Sequence, residues 1–500
     1  MNAILATQDA TVCVKGLMFE IPRDLVEQFL DRGLVAVVFS IAGFLLAFFL
    51  VARLMSEKRA PANTFAWLLV IVLLPYAGVP LFLLFGGRKL RRLAERKSRL
   101  LPQLPSGQTS PTVFASTPVA QTVMASGAAA PVAANHLELL TTGEAAYASL
   151  EAGIRGARHS IHITTFILGR DDTGRRLVKL LAQRARDGVK VRLLLDAVGC
   201  MFVNRGFVLP IKQAGGEVVW FMPVLPFTSR GSANLRNHRK LAIFDHCSAI
   251  VGGHNLAREY MGPTPLRKRF ADFGAVIHGP AAALLNEVFI ADWCFASRQS
   301  ADLLHAEIAT EAVLRPRGVS ELQVVASGPD VPGDPLYEGI LAMIQEAKKS
   351  LLIVTPYFLP DEVLLRSLMV KAHAGCSITL IVPARSNHPV TDLARRHYVR
   401  EIRRAGGKVW LFQPGMLHSK AMVVDGRIAL FGSANFDPRS LFVNFEVGVF
   451  VYSVEDVAAI SSWATNLIHS CREPKKETRP KRRIIGNILE DVSRLLAPLL

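Results

Sequence analysis

The chain has no Cys-x-x-Cys pair, no His-Glu-x-x-His and no dense carboxylate cluster. A structural zinc site, a zincin-type protease and a carboxylate-held metal centre therefore have no sequence signature here. Cysteines Cys13, Cys200, Cys247, Cys294, Cys376 and Cys471 are scattered, which fits reduced thiols rather than a disulfide framework. Tyr and Trp are scarce, 7 and 5 against 27 Phe, and no stretch interleaves aromatic and basic residues in the manner of an RNA-binding strand. Acidic residues are also short: 41 against 58 Lys and Arg give a formal charge of +17. That balance asks for an acidic partner, and without aromatic-basic interleaving an anionic membrane surface is the better candidate than nucleic acid.

What the chain has in abundance is apolar residues, 50 % of the total. Residues 34–55 are uncharged until Arg53 and long enough to cross a bilayer core. Residues 64–85 form a second apolar run, broken by Pro75, Gly78 and Pro80, so it either spans with a kink or is re-entrant. The pair predicts an N-terminal hydrophobic helical hairpin within residues 1–100. The basic cluster that follows (Arg88, Lys89, Arg91, Arg92, Arg96, Lys97, Arg99) places what comes after it in the cytoplasm. Residues 101–134, rich in Pro, Ala, Ser and Thr, read as a flexible linker. The tail 473–500 opens on Lys and Arg and continues as an amphipathic run from Ile484 to Leu496, suited to packing on a core or lying on a membrane.

Between linker and tail the sequence repeats itself. Ala-Arg158-His-Ser160-Ile-His-Ile matches Ala-Lys348-Lys-Ser350-Leu-Leu-Ile, and Ala214-Gly-Gly-Glu-Val-Val-Trp-Phe matches Ala405-Gly-Gly-Lys-Val-Trp-Leu-Phe. Each half alternates helical stretches with short β-branched runs, predicting two similar α/β lobes, 135–315 and 316–472. His238-Arg-Lys240-Leu-Ala-Ile-Phe-Asp245 then recurs as His418-Ser-Lys420-Ala-Met-Val-Val-Asp425. A glycine turn ending in Asn follows each copy: Gly252-Gly253-His254-Asn255 and Gly432-Ser433-Ala434-Asn435. One His-x-Lys-x-x-x-x-Asp would be an ordinary core or surface histidine; two in register, with matching tails, point to a shared site. The first half carries a longer segment before its His, Met222 to Asn237, suited to shaping substrate access.

Two imidazoles and two ammonium groups brought together suit a phosphate diester. One neutral imidazole attacks phosphorus and the other protonates the leaving alkoxide. Lys240 and Lys420 neutralise the non-bridging oxygens, and Asn255 and Asn435, with Ser433 beside them, bind the same group. Asp245 and Asp425 complete the motif; lying an odd number of residues from each His, they face away from it or stand in the following turn. Asp272 and Glu446, each beyond its own motif, are candidates to fix the imidazole tautomers. No metal or other cofactor is required.

The duplicated motif, with Gly-Ser-Ala-Asn435-Phe-Asp437-Pro-Arg-Ser440 and Asn444-Phe-Glu446, resembles the phospholipase D superfamily and, within it, the bacterial cardiolipin synthases. The resemblance implies two lobes meeting at one active site, a phosphatidyl-histidine intermediate, and Asp272 and Glu446 orienting the imidazoles. It implies transfer of a phosphatidyl group from one phosphatidylglycerol to another, giving cardiolipin and glycerol, in an enzyme crossing the bacterial inner membrane more than once. Analogy alone puts the attack on His238. Water as acceptor, phosphatidylethanolamine as donor, and a nuclease remain the competing readings. His254 departs from the pattern, where a small or apolar residue is expected.

Overall fold

The computed structural model describes residues 9–14, 17–22, 68–74, 113–223, 235–308, 315–331 and 333–474, with isolated positions between 37 and 78. Most of both apolar runs, the basic cluster after them, the segment 224–234 and the tail from 475 lie outside the described residues. Two compact units, Met1–Gly87 and Arg88–Leu500, are distinguished. In the first, β1 (Asp9–Val14) and β2 (Leu17–Pro22) pair antiparallel, Asp9 opposite Pro22. The described positions Val37, Ile41, Gly43, Phe48 and Leu68–Leu73 are helical. Among the described residues no helix is long and apolar enough to cross a membrane.

The second unit is built on one 15-stranded sheet. Its first half comprises β3 (Val132–Leu140), β4 (Ser160–Thr165), β5 (Lys190–Asp196), β6 (Glu217–Phe221), β7 (Leu241–Phe244), β8 (Ser248–Gly252) and β9 (Gly274–His278). The second comprises β10 (Ser320–Ser327), β11 (Ser350–Val354), β12 (Ser377–Pro383), β13 (Lys408–Phe412), β14 (Ala421–Val424), β15 (Ile428–Gly432) and β16 (Glu446–Val451), with β17 (Cys471–Arg472) added at the edge. Strand order is 3-9-8-7-4-5-6 in one half and 10-16-15-14-11-12-13 in the other, so the sequence repeat is a repeat of topology. Antiparallel pairing of β3 with β10 fuses the halves.

In each half three parallel strands are joined by helical crossovers: Asp172–Arg186 and Arg205–Gln213 in the first, Glu362–His373 and Pro389–Arg404 in the second. The crossovers cover the sheet, which is why β5 is buried from Val191 to Asp196. Helix Asp172–Arg186 forms because Asp171 caps it, accepting from the Gly174 amide at 3.0 Å, and because Leu177, Val178, Leu181 and Ala182 make one apolar stripe. Helix Pro280–Ser297 is different. It is apolar almost all round and buried along most of its length, packing against strands of the first half and β10.

The segment read as a flexible linker is folded from Val113 onward, which corrects that expectation. Thr117 caps a helix, Pro118–Ala125, whose Val119, Ala120 and Val123 are fully buried in the core of the second half. Phe114 stacks on Tyr452 at 5.7 Å. The Pro, Ala and Thr that suggested a linker are here a Thr-Pro helix start followed by small residues that let the helix sit close to Pro335–Glu346. A fragment beginning at Asn135 would lose this helix and the start of β3.

Candidate active site

His238 and His418 lie immediately before β7 and β14, in extended segments that pair across the two halves. Asn237 bridges to Phe445, and Leu417 to Ala271. The His238 amide donates to Phe445 O at 2.9 Å, and the His418 amide to Ala271 O at 2.7 Å. The carboxylate that follows each of these partners is thereby placed against the other half's imidazole. His238 Nδ1 lies 2.9 Å from Glu446 Oε1, and His418 Nδ1 lies 2.6 Å from Asp272 Oδ2. Each histidine is thus held by the carboxylate of the opposite half. The His418–Asp272 pair is buried, and Glu446 is buried beneath a His238 that keeps a small exposed edge. A carboxylate at Nδ1 fixes the proton there and leaves Nε2 as the lone-pair nitrogen.

The lysines share this enclosure. Lys240 Nζ donates to His238 O at 2.6 Å, while Lys420 Nζ lies 2.8 and 3.1 Å from the two ring nitrogens of His418. Burial pushes the His238 imidazole down to about 4 and His418 to about 3, assisted by the nearby lysines and opposed by the paired carboxylates. Each imidazole is affected by the other half's lysine as well as its own. Burial likewise lowers Lys240 to about 7 and Lys420 to about 8. Burial alone would raise Asp272, but the charges of His418 and Lys420 hold its carboxyl well below the ordinary range. The site thus gathers two imidazoles, two lysines and two carboxylates in one largely desolvated enclosure.

Other residues assigned from sequence fall elsewhere. Asp245 and Asp425 complete the motif in sequence but do not join the imidazoles: they stand in the following turn, one of the two places their spacing allowed, and are structural rather than catalytic. Asp245 accepts the amides of Arg158, His159 and Ser160 at 2.7–2.9 Å; Asp425 accepts those of Lys348, Lys349 and Ser350 at 2.7–2.8 Å. Both stand in the left-handed region, φ 48° and 52°, where Asp is tolerated in a tight turn. They tie the turn after each His strand to the start of its neighbour. Asp425→Ala should therefore cost about 1 kcal/mol of stability, from hydrogen bonds lost at three exposed amides and an alanine held at positive φ, while turnover per folded molecule stays near normal. Thermal melts and titrated active protein check this; lost turnover at unchanged melting temperature would restore Asp425 to the chemistry.

Ser433 is likewise turned from substrate. Its hydroxyl donates to Glu446 Oε2 and accepts the Val447 amide at 3.0 Å. The first half has Gly253 at this place because a Cβ there would come within 2.0 Å of Asp272 Oδ1. Asn255 Oδ1 accepts the Ile167 amide at 3.1 Å, and Asn435 Nδ2 donates to Ser440 at 3.2 Å. Asn435 Oδ1 is buried with no partner in the structure. His254 is buried, its Nε2 unpaired, and lies within electrostatic reach of Asp272 and Lys420.

Sequence reasoning missed several supports. Arg239, fully buried, donates to Asp292 at 2.5 Å, to Glu446 O at 2.9 Å and to Ser327 O at 3.0 Å, stitching the halves behind His238. Asn237 also donates to Asp292, at 2.8 Å. The available signal was an Asp set between apolar residues in a mostly apolar helix, Ala291-Asp292-Trp293. Phe166 meets the His238 ring edge-on at 4.9 Å, and Tyr260 meets His418 at 5.0 Å. The near-symmetry fails at the flanks. Phe445 N donates to Arg236 O and Asn444 N to Arg439 O, whereas the matching bonds opposite go from Ala271 to Met416 and from Phe270 to Glu259.

Comparison with known families agrees with this arrangement. A family profile described as cardiolipin synthase, phospholipase D-like domain, matches residues 150–293 and 340–468. The chain belongs to this family. A second profile, phospholipase D-nuclease N-terminal, matches residues 44–87. Curated relatives include a cardiolipin synthase of Geobacillus kaustophilus, 33 % identical over 89 % of this chain and 90 % of its own length. A cardiolipin synthase of Listeria monocytogenes is 30 % identical over 94 % of this chain and all of its own. Among solved structures, phosphatidylserine synthase of Haemophilus influenzae covers 76 % of this chain with a TM-score of 0.57 at 16 % identity, a likeness of fold.

Proposed function

We infer that this family member is a phosphatidyltransferase that makes cardiolipin and glycerol from two molecules of phosphatidylglycerol. The observation that carries the reading is the pair of crossed histidine–carboxylate contacts, closed in one desolvated enclosure with Lys240 and Lys420. Nε2 of one imidazole attacks the donor phosphorus; the bond to the glycerol headgroup breaks, and the other imidazole, protonated, gives its proton to the leaving oxygen. The bound phosphodiester's negative charge offsets the lysines and favours that protonation. The now neutral imidazole then takes the proton of the second lipid's glycerol hydroxyl. That oxygen attacks phosphorus, the P–N bond breaks, and cardiolipin leaves. The lysines stabilise the phosphoryl oxygens in both steps.

The same reading places the enzyme at the bacterial cell membrane, its lobes on the cytoplasmic side. The two apolar runs support this, as do the exposed Val37, Ile41, Phe48, Leu69, Val72 and Leu73 at helical positions of the N-terminal unit. Purified full-length protein given labelled phosphatidylglycerol should yield cardiolipin and glycerol in equal amounts by mass spectrometry. Phosphatidic acid as the main product would replace transfer by hydrolysis.

A further inference from the structure

Between buried Cys200 and buried Val203 the chain turns two large apolar side chains outward: Met201 is 66 % and Phe202 77 % exposed. The loop that carries them is anchored at the catalytic centre. Asp196, at the end of β5, accepts the amides of Val198 and Gly199 through one oxygen and that of Asn237 through the other, all at 2.9 Å. Cys200 Sγ lies 3.2 Å from the carbonyl of Phe166, whose ring touches His238. A Cβ at Gly199 would come within 2.0 Å of the same carbonyl, so the base of the loop has little room to shift. The tip is therefore presented from a fixed base rather than left loose.

Two arginines flank it. Arg170 donates to Phe202 O at 3.4 Å, and exposed Arg205 follows three residues on. Beside the tip a cleft of ≈ 400 Å³ is lined by Arg170, Arg175 and Arg258, with Asp171, Asp172 and Glu259, and by Ile167, the residue after Phe166. At the matching bend after β12 the positions of Met201 and Phe202 are taken by His388 and Pro389, which opens the next helix, and the exposed apolar surface there is the smaller Val390. Exposed aromatic and thioether groups flanked by arginines are suited to the boundary between acyl chains and anionic headgroups.

We propose that the Met201–Phe202 tip inserts into the interfacial layer of an anionic bilayer, with Arg170 and Arg205 on headgroup phosphates, and holds the active-site mouth against the membrane that supplies its substrate. The inference rests on the substrate being a bilayer lipid. In the full chain, M201S/F202S should lower turnover of phosphatidylglycerol vesicles by about tenfold, yet change turnover of monomeric short-chain phosphatidylglycerol by less than about twofold. Equal rates for variant and wild type on vesicles, or equal losses on both substrates, would overturn the proposal. Phe202→Trp gives a second readout: its added emission should be quenched by lipids brominated in the acyl chain, and no quenching would count equally against insertion. Cardiolipin formation by wild type from the short-chain lipid reports separately on the functional reading.

Discussion

Alanine at either His238 or His418 is expected to lower turnover by on the order of 10⁴-fold or more, because nucleophile and proton donor act as a unit. The two rings have mirror-image roles in one enclosure, each against a buried carboxylate and each affected by both lysines. Neither half can complete the reaction alone. The double variant should be scarcely worse than either single one, since removing one member already stops the exchange. Circular dichroism and thermal melts separate this from misfolding. A folded single variant with near-normal rates would remove that histidine from the chemistry.

The second large effect belongs to the crossed carboxylates. Asp272→Asn and Glu446→Gln keep the shape but replace an acceptor by a group that also donates. An amide N–H directed at Nδ1 holds the proton on Nε2 and so removes the reacting lone pair. The expected loss is roughly 10²–10⁴-fold in kcat, with a much smaller change in KM, since the proposed mechanism gives the substrate's phosphate to the lysines and not to these carboxylates. Because His418 takes its carboxylate from the first half and His238 from the second, Asp272→Asn should impair His418 and leave the His238–Glu446 pair intact. NMR of ring-labelled histidines reads this directly. If the His238 resonances shift and those of His418 do not, the crossing is wrong.

That crossing is also where reading the sequence stopped. The repeat located both histidines and both lysines, because a motif eight residues long is local and its register is visible without a fold. Asp272 and Glu446 were legible as partners, but not whose partners they were. The contacts join residues 208 and 146 positions apart and depend on β3 pairing with β10 to fuse the halves. The strands begin at Leu241 and Ala421, so His and Lys belong to an extended lead-in that pairs across the halves rather than to a regular strand. The odd spacing already set Asp245 and Asp425 away from the imidazoles; what it could not show is the left-handed turn that brings them onto the backbone amides of the neighbouring strand. Composition misjudged 113–134, since the burial of Val119 and Val123 depends on a helix more than two hundred residues later in the chain. Arg239 escaped notice because an arginine between His and Lys reads as exposed until Asp292 is placed beneath it.

The central claim is that one histidine carries the phosphatidyl group between two lipids. Its most direct test is intact-protein and peptide mass spectrometry of His238→Ala and His418→Ala after brief exposure to phosphatidylglycerol. One of the two should hold a phosphatidyl adduct on its remaining histidine, stable because the partner that activates the second lipid is gone, and the other should hold none. Absence of an adduct from both, with wild type making cardiolipin under the same conditions, would contradict a covalent intermediate and leave direct displacement between the two lipids.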